Sequence, residues 1–191
     1  MSSYQIGERD RAFAASLDGL SDLTDGRRLL AILRRGAGGG ANRFDAIRAL
    51  DRVVPRGATD RDFDAYGLVA GLYAVYHQGR STIPATDGDL GDSFARLGRS
   101  LGWETDRAAR RLTAILAASS ATLGERLRHA VTLLRSADIP VNWAMLARDI
   151  RTWDLEGQPV QRRWARSFVA GRAPEATDDA DSATNNEGED Q

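Results

Sequence analysis

Residues 134–168, LRSADIPVNWAMLARDIRTWDLEGQPVQRRWARSF, decide the fold class. Trp143, Leu146, Ile150 and Trp153 recur at steps of three and four, and Val160, Trp164 and Phe168 at steps of four. Those steps place each set on one stripe of an α-helix, whereas a strand would alternate every second residue. Pro140 halts the helix before this stretch, Asn142 is placed to cap the next, and Pro159 suits a first helical turn. Exposed aromatics would stack on bases. Aromatic stripes at helical spacing more often pack inward, so the tryptophans are assigned to the core of a C-terminal bundle.

The same periodicity runs outward along the chain, and alternating strand patterns are nearly absent. The expected fold is all-α, about nine helices in two small packed bundles. Helix one covers about Gln5 to Leu17. Helix two follows a Thr24–Asp25 cap through Arg35 and ends at the linker Gly36–Gly40. Helix three covers about Ala41 to Val54 before Pro55, and helix four runs from a Thr59–Asp60 cap to Gly79. Helix five spans about Leu90 to Leu101, six Glu104 to Ala118, seven Ala121 to Ala137, eight Asn142 to Trp153, and nine Pro159 to Ala170. The Pro84-containing loop STIPATDG is the expected boundary. It divides an N-terminal lobe at 1–80 from a C-terminal bundle at 89–172, with 81–88 as connection and 173–191 as a disordered acidic tail.

Charge is segregated along the chain. The formal net charge is −1, but residues 173–191 hold seven acidic side chains and no basic one. Residues 1–172 therefore carry 26 basic against 20 acidic side chains, about +6. A basic body suits a nucleic-acid partner, and an acidic tail suits weak competition for the same surface. All 26 basic residues are Arg. Arg offers phosphate a two-pronged donor, yet GC-rich coding also replaces Lys by Arg throughout, so position must carry the argument.

Catalytic chemistry finds little support. Cysteine is absent, and His77 and His129 are the only histidines, which leaves no zinc set and no expected metal or cofactor. No Walker-type GxxxxGK[ST] loop is present. Asp60, Asp62 and Asp64 have the opening spacing of a calcium loop, but Ala65 and Gly71 stand where that loop needs Gly and Glu. The three acids read as the first turn of helix four, favourable to its dipole. The charged N-terminus MSSYQIGERDRAF lacks the apolar core of a secretory signal, and no apolar run reaches the ~18 residues of a membrane span, so cytoplasmic residence is expected.

Arginine placement is more informative. In TDGRRLLAILRRG, residues 24–36, Arg27 and Arg34 stand one heptad apart, as do Arg28 and Arg35, beside Leu29, Leu30 and Leu33. In helix six Arg107, Arg110 and Arg111 share a face opposite Leu112, Ile115 and Leu116, with Asp106 placed to pair with Arg110. Helix seven adds Arg126, Arg128 and Arg135, and helix nine Arg162, Arg163 and Arg166. Any one cluster reads best as a solvated helix face. Several clusters in one basic body fit phosphate-backbone binding without base readout.

The stretch LRSADIPVNWAMLARDIRTWD followed by VQRRWARSF is similar to the closing signature of the CasB family, the small subunit of the type I-E CRISPR Cascade complex. The matching positions are Leu134, Arg135, Pro140, Trp143, Leu146, Arg148, Asp149, Trp153, Asp154, Val160, Trp164, Ala165, Arg166 and Phe168. LAILRRGAG, LVAGLYAVYHQG and DRAARRLTAIL extend the likeness over most of residues 20–170. The resemblance implies an all-α fold of two bundles with no catalytic activity. It implies crRNA, target DNA and the displaced strand of an R-loop as partners, together with backbone and large Cascade subunits and further copies of the chain. Base pairing would read sequence while the protein supplies a positive channel. Arg34, Arg35, Arg107, Arg110 and Arg111 are the first expected nucleic-acid contacts, with Arg27, Arg28 and Arg128 second. Arg148 and Arg166, near Asp149 and Trp164, are expected to serve structural pairing. The alternative is a helical protein–protein scaffold with little nucleic-acid contact. A free-standing DNA-binding regulator lacks a convincing helix-turn-helix.

Overall fold

Every apolar stripe read from the sequence needs a partner surface, and the helices supply them to one another. The computed structural model describes residues 6–36, 43–78, 85–102 and 107–171. Its elements are α1 (Glu8–Asp18), a 3-10 turn (Gly19–Asp22), α2 (Gly26–Gly36), α3 (Arg43–Leu50), α4 (Asp60–His77), α5 (Leu90–Ser100), α6 (Arg107–Leu116), α7 (Ser120–Ser136), α8 (Trp143–Arg151) and α9 (Pro159–Ala170). Among the described residues there is no strand, and no helix is long and apolar enough to cross a membrane. The acidic segment 173–191, residues 37–40 of the glycine-rich linker and residues 81–84 lie outside the described residues.

α4 is the axis of the molecule. Every residue from Val69 to His77 is buried, and Ala70, Gly71 and Ala74 let neighbouring helices come close. It packs against α1, α2 and α3 and also against α7 and α8. Its start is as read: the Thr59 Oγ1 accepts from the Asp62 N–H at 3.2 Å, and Asp60 and Asp62 occupy the first turn. α5 begins with a capping box in which Asp89 and Asp92 each accept the other's backbone N–H. Asn142 caps α8 by accepting from Met145 N–H at 3.0 Å.

The tryptophans pack inward. Trp143, Trp153 and Trp164 are all buried, with Leu146, Val160 and Phe168 beside them. Trp143 meets Tyr73 and Tyr76 of α4 edge-on, at 5.4 and 5.5 Å between ring centres. Trp153 donates its indole N–H to the Ala118 carbonyl at 3.1 Å. These rings join Phe13 and Leu17 of α1, Leu33 of α2, Leu72 of α4 and Leu127 of α7 in one buried apolar cluster.

The helix boundaries differ from expectation at several ends, beginning with α1, which starts at Glu8 and not about Gln5. Helix three stops at Leu50, four residues short of Val54, because the chain turns through Val53 and Val54 N–H bonds to the Leu50 carbonyl. The residue ahead of Pro55 is held out of helical geometry by the proline ring. Helix eight ends at Arg151, so Trp153 reaches the core from a turn and not from the helix. Helix six ends at Leu116, not Ala118, and its expected start at 104–106 lies outside the described residues.

Candidate nucleic-acid interface

The apolar stripe of α2 sorts its arginines. Leu29, Ile32 and Leu33 are buried, which leaves Arg27, Arg28 and Arg35 exposed and Arg34 half-buried. Arg28 opens onto a cleft of about 80 Å³ shared with Asp25, Asp45, Arg48 and Arg52. Two carboxylates among three guanidinium groups partly neutralise the field that an incoming phosphate would meet.

α6 and α7 build a cleaner positive face. Ala108, Leu112 and Ile115 face inward from α6, so Arg107, Arg110 and Arg111 are exposed together, as their spacing predicts. Between the helices, Arg111, Arg126 and His129 line a cleft of about 130 Å³ with Ala114, Ile115 and Ala130, and no carboxylate lines it. α6 and α7 together carry six arginines and one acidic residue, Glu125. Arg128 is half-buried, with its Nη1 enclosed and without a hydrogen-bond partner among the described residues, so it is presented less openly than Arg107, Arg110 and Arg111. The α2 group and the α6 group are linked through α4 and α7: α2 packs on α4, α4 on α7, and α7 on α6.

Among the described residues, none of Arg27, Arg28, Arg34, Arg35, Arg107, Arg110, Arg111 and Arg128 forms an ion pair. The expected Asp106–Arg110 pair falls on a residue outside the described set. Among the described residues the ion pairs fall to Arg61, Arg96, Arg151 and Arg163, and only those of Arg151 and Arg163 reach well-buried acids.

Arg151 of α8 donates through Nε to Asp62 at 2.6 Å and through Nη1 to Asp10 at 2.9 Å, while the Tyr66 hydroxyl donates to Asp10 at 2.9 Å. This ties α1, α4 and α8 together, and the Arg151 hydrogen bond holds the Asp62 carboxyl below the usual carboxylate range.

Arg163 of α9 donates through Nε to Asp89 at 3.1 Å and ion-pairs through Nη2 with Asp149, whose side chain is 1 % exposed. Ser167 donates to Asp89 at 3.0 Å and the Trp164 indole to Asp149 at 2.7 Å. Burial holds the carboxyls of Asp89 and Asp149 above the ordinary carboxylate range, and the Ser167 hydrogen bond at Asp89 and the Arg163 charge at both offset only part of that rise. α5, α8 and α9 are clamped at this point.

Arg163 therefore does not belong with Arg162 and Arg166 on an outward stripe; those two are exposed and it turns inward. Asp149, beside Trp164, pairs with Arg163; of the two arginines expected to serve structural pairing and packing there, Arg148 is half-buried with its Nη1 3.7 Å from Met145 Sδ, and Arg166 is exposed. Arg126, read only as part of the helix-seven cluster, and His129 are not among the expected contacts. Their i, i+3 spacing marks a shared face, but only the packing of α7 on α6 brings that face to Arg111. The other histidine, His77, is buried and stacks on Tyr73 at 5.6 Å between ring centres. Among the described residues no group of three His, Cys, Asp or Glu side chains could hold a metal ion.

A second surface feature is apolar. Leu33 and Gly36 of α2, Ala46 and Leu50 of α3, and Phe63, Gly67 and Leu68 of α4 line a groove of about 300 Å³, with Asp64 its one charged lining residue. On α3, Phe44 and Ile47 remain 65 % and 47 % exposed.

Comparison with known proteins gives a consistent family. Residues 29–168 match the family model described as CRISPR-associated protein Cse2. The crystal structure of CasB from M. ruber is 29 % identical, with a TM-score of 0.66 over 87 % of this chain and 94 % of that one. CasB from Thermus thermophilus is 22 % identical, with a TM-score of 0.70 over 84 % of this chain and 97 % of that one. A chain in the structure of a CRISPR RNA-guided surveillance complex is 22 % identical, with a TM-score of 0.67 over 88 % and 95 % of the two chains. The last two likenesses speak to fold alone. No curated protein sequence matches.

Proposed function

We propose, from the premise that the chain belongs to the CRISPR-associated protein Cse2 family, that it is a non-catalytic subunit of a crRNA-guided Cascade complex. In that role it steadies guide RNA, target DNA and the displaced strand of the R-loop through arginine-rich helix faces. The observation that carries this reading is the α6/α7 face, where Arg107, Arg110, Arg111 and Arg126 form no ion pair among the described residues and Arg111 and Arg126 line a cleft with no described carboxylate. A folded protein usually places arginines near acids on its own surface; arginines left without them fit an external polyanion. The face offers charge and no ordered set of base-reading groups, which suits a complex whose sequence reading is done by base pairing. The α2 group, Arg27, Arg28, Arg34 and Arg35, would be a second and weaker backbone contact.

The test is R-loop stability in the assembled complex as a function of salt, with Arg107, Arg110 and Arg111 changed to Ala. Each lost phosphate contact lowers the slope of log K against log salt by about 0.7–0.9, so the triple variant should lose roughly 2–3 from the slope while keeping its helical content. An unchanged slope would remove this face from the proposal.

The apolar groove beside Phe44 and Ile47 favours a second reading, a helical scaffold that works by protein contacts. On that reading Phe44→Ser and Ile47→Ser would abolish assembly while the arginine variants would leave R-loop stability intact.

A further inference from the structure

We infer that the chain's own C-terminal segment, residues 173–191, docks by charge on the α6/α7 arginine face when nucleic acid is absent. The inference rests on the reading of that face as a phosphate-binding surface and adds an internal competitor to it. Four observations carry it.

Charge complementarity is the first. The segment holds Glu175, Asp178, Asp179, Asp181, Glu187, Glu189 and Asp190 and no basic residue. The two helices expose Arg107, Arg110, Arg111 and Arg126 against the single exposed acid Glu125, and among the described residues no ion pair engages those four arginines.

Position is the second. The segment continues from α9, which packs on both α5 and α6. Its point of departure therefore lies on the helix next to the one that carries Arg107, Arg110 and Arg111.

Reach is the third. Nineteen residues span up to about 60–70 Å when extended, against a radius of gyration of about 16 Å for a body of this size. Every part of α6 and α7 is accessible to such a segment.

The fourth is composition, in a segment that lies beyond the family-model match at residues 29–168. Its acids are interspersed with Ala, Ser, Thr, Asn and Gly and no aromatic or large aliphatic residue. It has nothing with which to bury itself in the apolar groove of α2, α3 and α4, so charge is its only available contact.

Tethering sets the strength. A short tether holds its end at an effective concentration on the order of millimolar, so even a weak contact is substantially occupied and subtracts from the affinity for an added ligand. Debye screening at about 1 M salt, with a length of ~3 Å, would abolish it.

The absence of cysteine allows a direct test. Gln191→Cys gives one attachment point for a nitroxide, and the full chain is compared with a variant in which the three glutamates of the segment become Gln and its four aspartates Asn. At low ionic strength the spin label should broaden amide signals of α6 and α7, and the broadening should vanish in the amide variant and near 1 M salt. A fluorescent single-stranded DNA oligonucleotide should bind the amide variant roughly two- to tenfold more tightly than the parent at low salt. No broadening at low salt, broadening centred on α2, or equal affinities for the two chains would overturn the inference. Broadening as expected, with no oligonucleotide binding by either chain, would support the docked segment and overturn the nucleic-acid reading of the face.

Discussion

At the residue scale, identical side chains a few positions apart do opposite work. Arg162, Arg163 and Arg166 share a helix, yet Arg163 alone turns toward Asp89 and Asp149. Breaking a buried pair strands the other charge, so Arg163→Met should cost about 3–5 kcal/mol in urea unfolding. Arg162→Met, at an exposed position, should stay within about 0.5 kcal/mol. Equal effects would mean that the Asp149 pair does not hold α9. His77 gives a pH-dependent counterpart. Burial holds its pKa below the ordinary 6.5, and the Asp18 carboxylate only partly restores it. As pH falls below 6.5 the unfolded chain takes up the proton first. Stability conferred by neutral His77 is thus full above that value and is lost as pH falls toward the folded-state pKa. Urea midpoints of the parent should fall between about pH 7 and about pH 5 more steeply than those of His77→Phe, which keeps a stacked ring and cannot titrate. Parallel pH curves would sink this assignment. Sequence marked both histidines as poor catalytic candidates; which of the two is buried depended on what α4 packs against.

At the element scale, periodicity was a reliable guide to which residues share a face, and capping residues to where helices begin. Thr59 and Asn142, both read as caps, accept backbone N–H groups at the starts of α4 and α8, whereas the Asp89 cap of α5 was not read from the sequence. The ends were less legible, as the early stop of α3 at Leu50 illustrates, because a helix terminus is decided by competing turn hydrogen bonds as well as by propensity. Gly91 shows a requirement that no helix propensity reveals. A Cβ there would stand 2.0 Å from the Trp164 carbonyl oxygen, where α5 and α9 cross. Gly91→Ala should force α9 away from α5 at a cost of about 1–3 kcal/mol, or a fall in Tm of about 2–12 °C. In an isolated helix the same change would be favourable, so a raised Tm would show that the close crossing is absent.

At the scale of the whole molecule, α4 joins the N-terminal helices to the rest. It packs on α2 and α3 on one side and on α7 and α8 on another, and Arg151 bonds acids of both α1 and α4. The boundary proposed at 81–88 would then separate two bundles that depend on each other for folding. Residues 1–80 expressed alone should show weak, non-cooperative melting by circular dichroism. Mixing with residues 89–172 should restore helical signal and a cooperative transition; cooperative melting of 1–80 alone would establish the lobes as independent. By itself the sequence determined the all-α class, the inward stripes of tryptophan, the absence of a cysteine-based site, the charge segregation, and the CasB likeness carried by the Trp–Arg–Asp–Trp–Asp run. These follow from local spacing and composition, which a linear chain displays directly. The tertiary structure alone decided which arginines bind buried acids and which stay exposed. Arg151 finds its acids 89 and 141 residues away, and Arg111 meets Arg126 and His129 only across a helix pair. A helical repeat specifies which side chains share a face, but what that face meets is set by packing between distant segments.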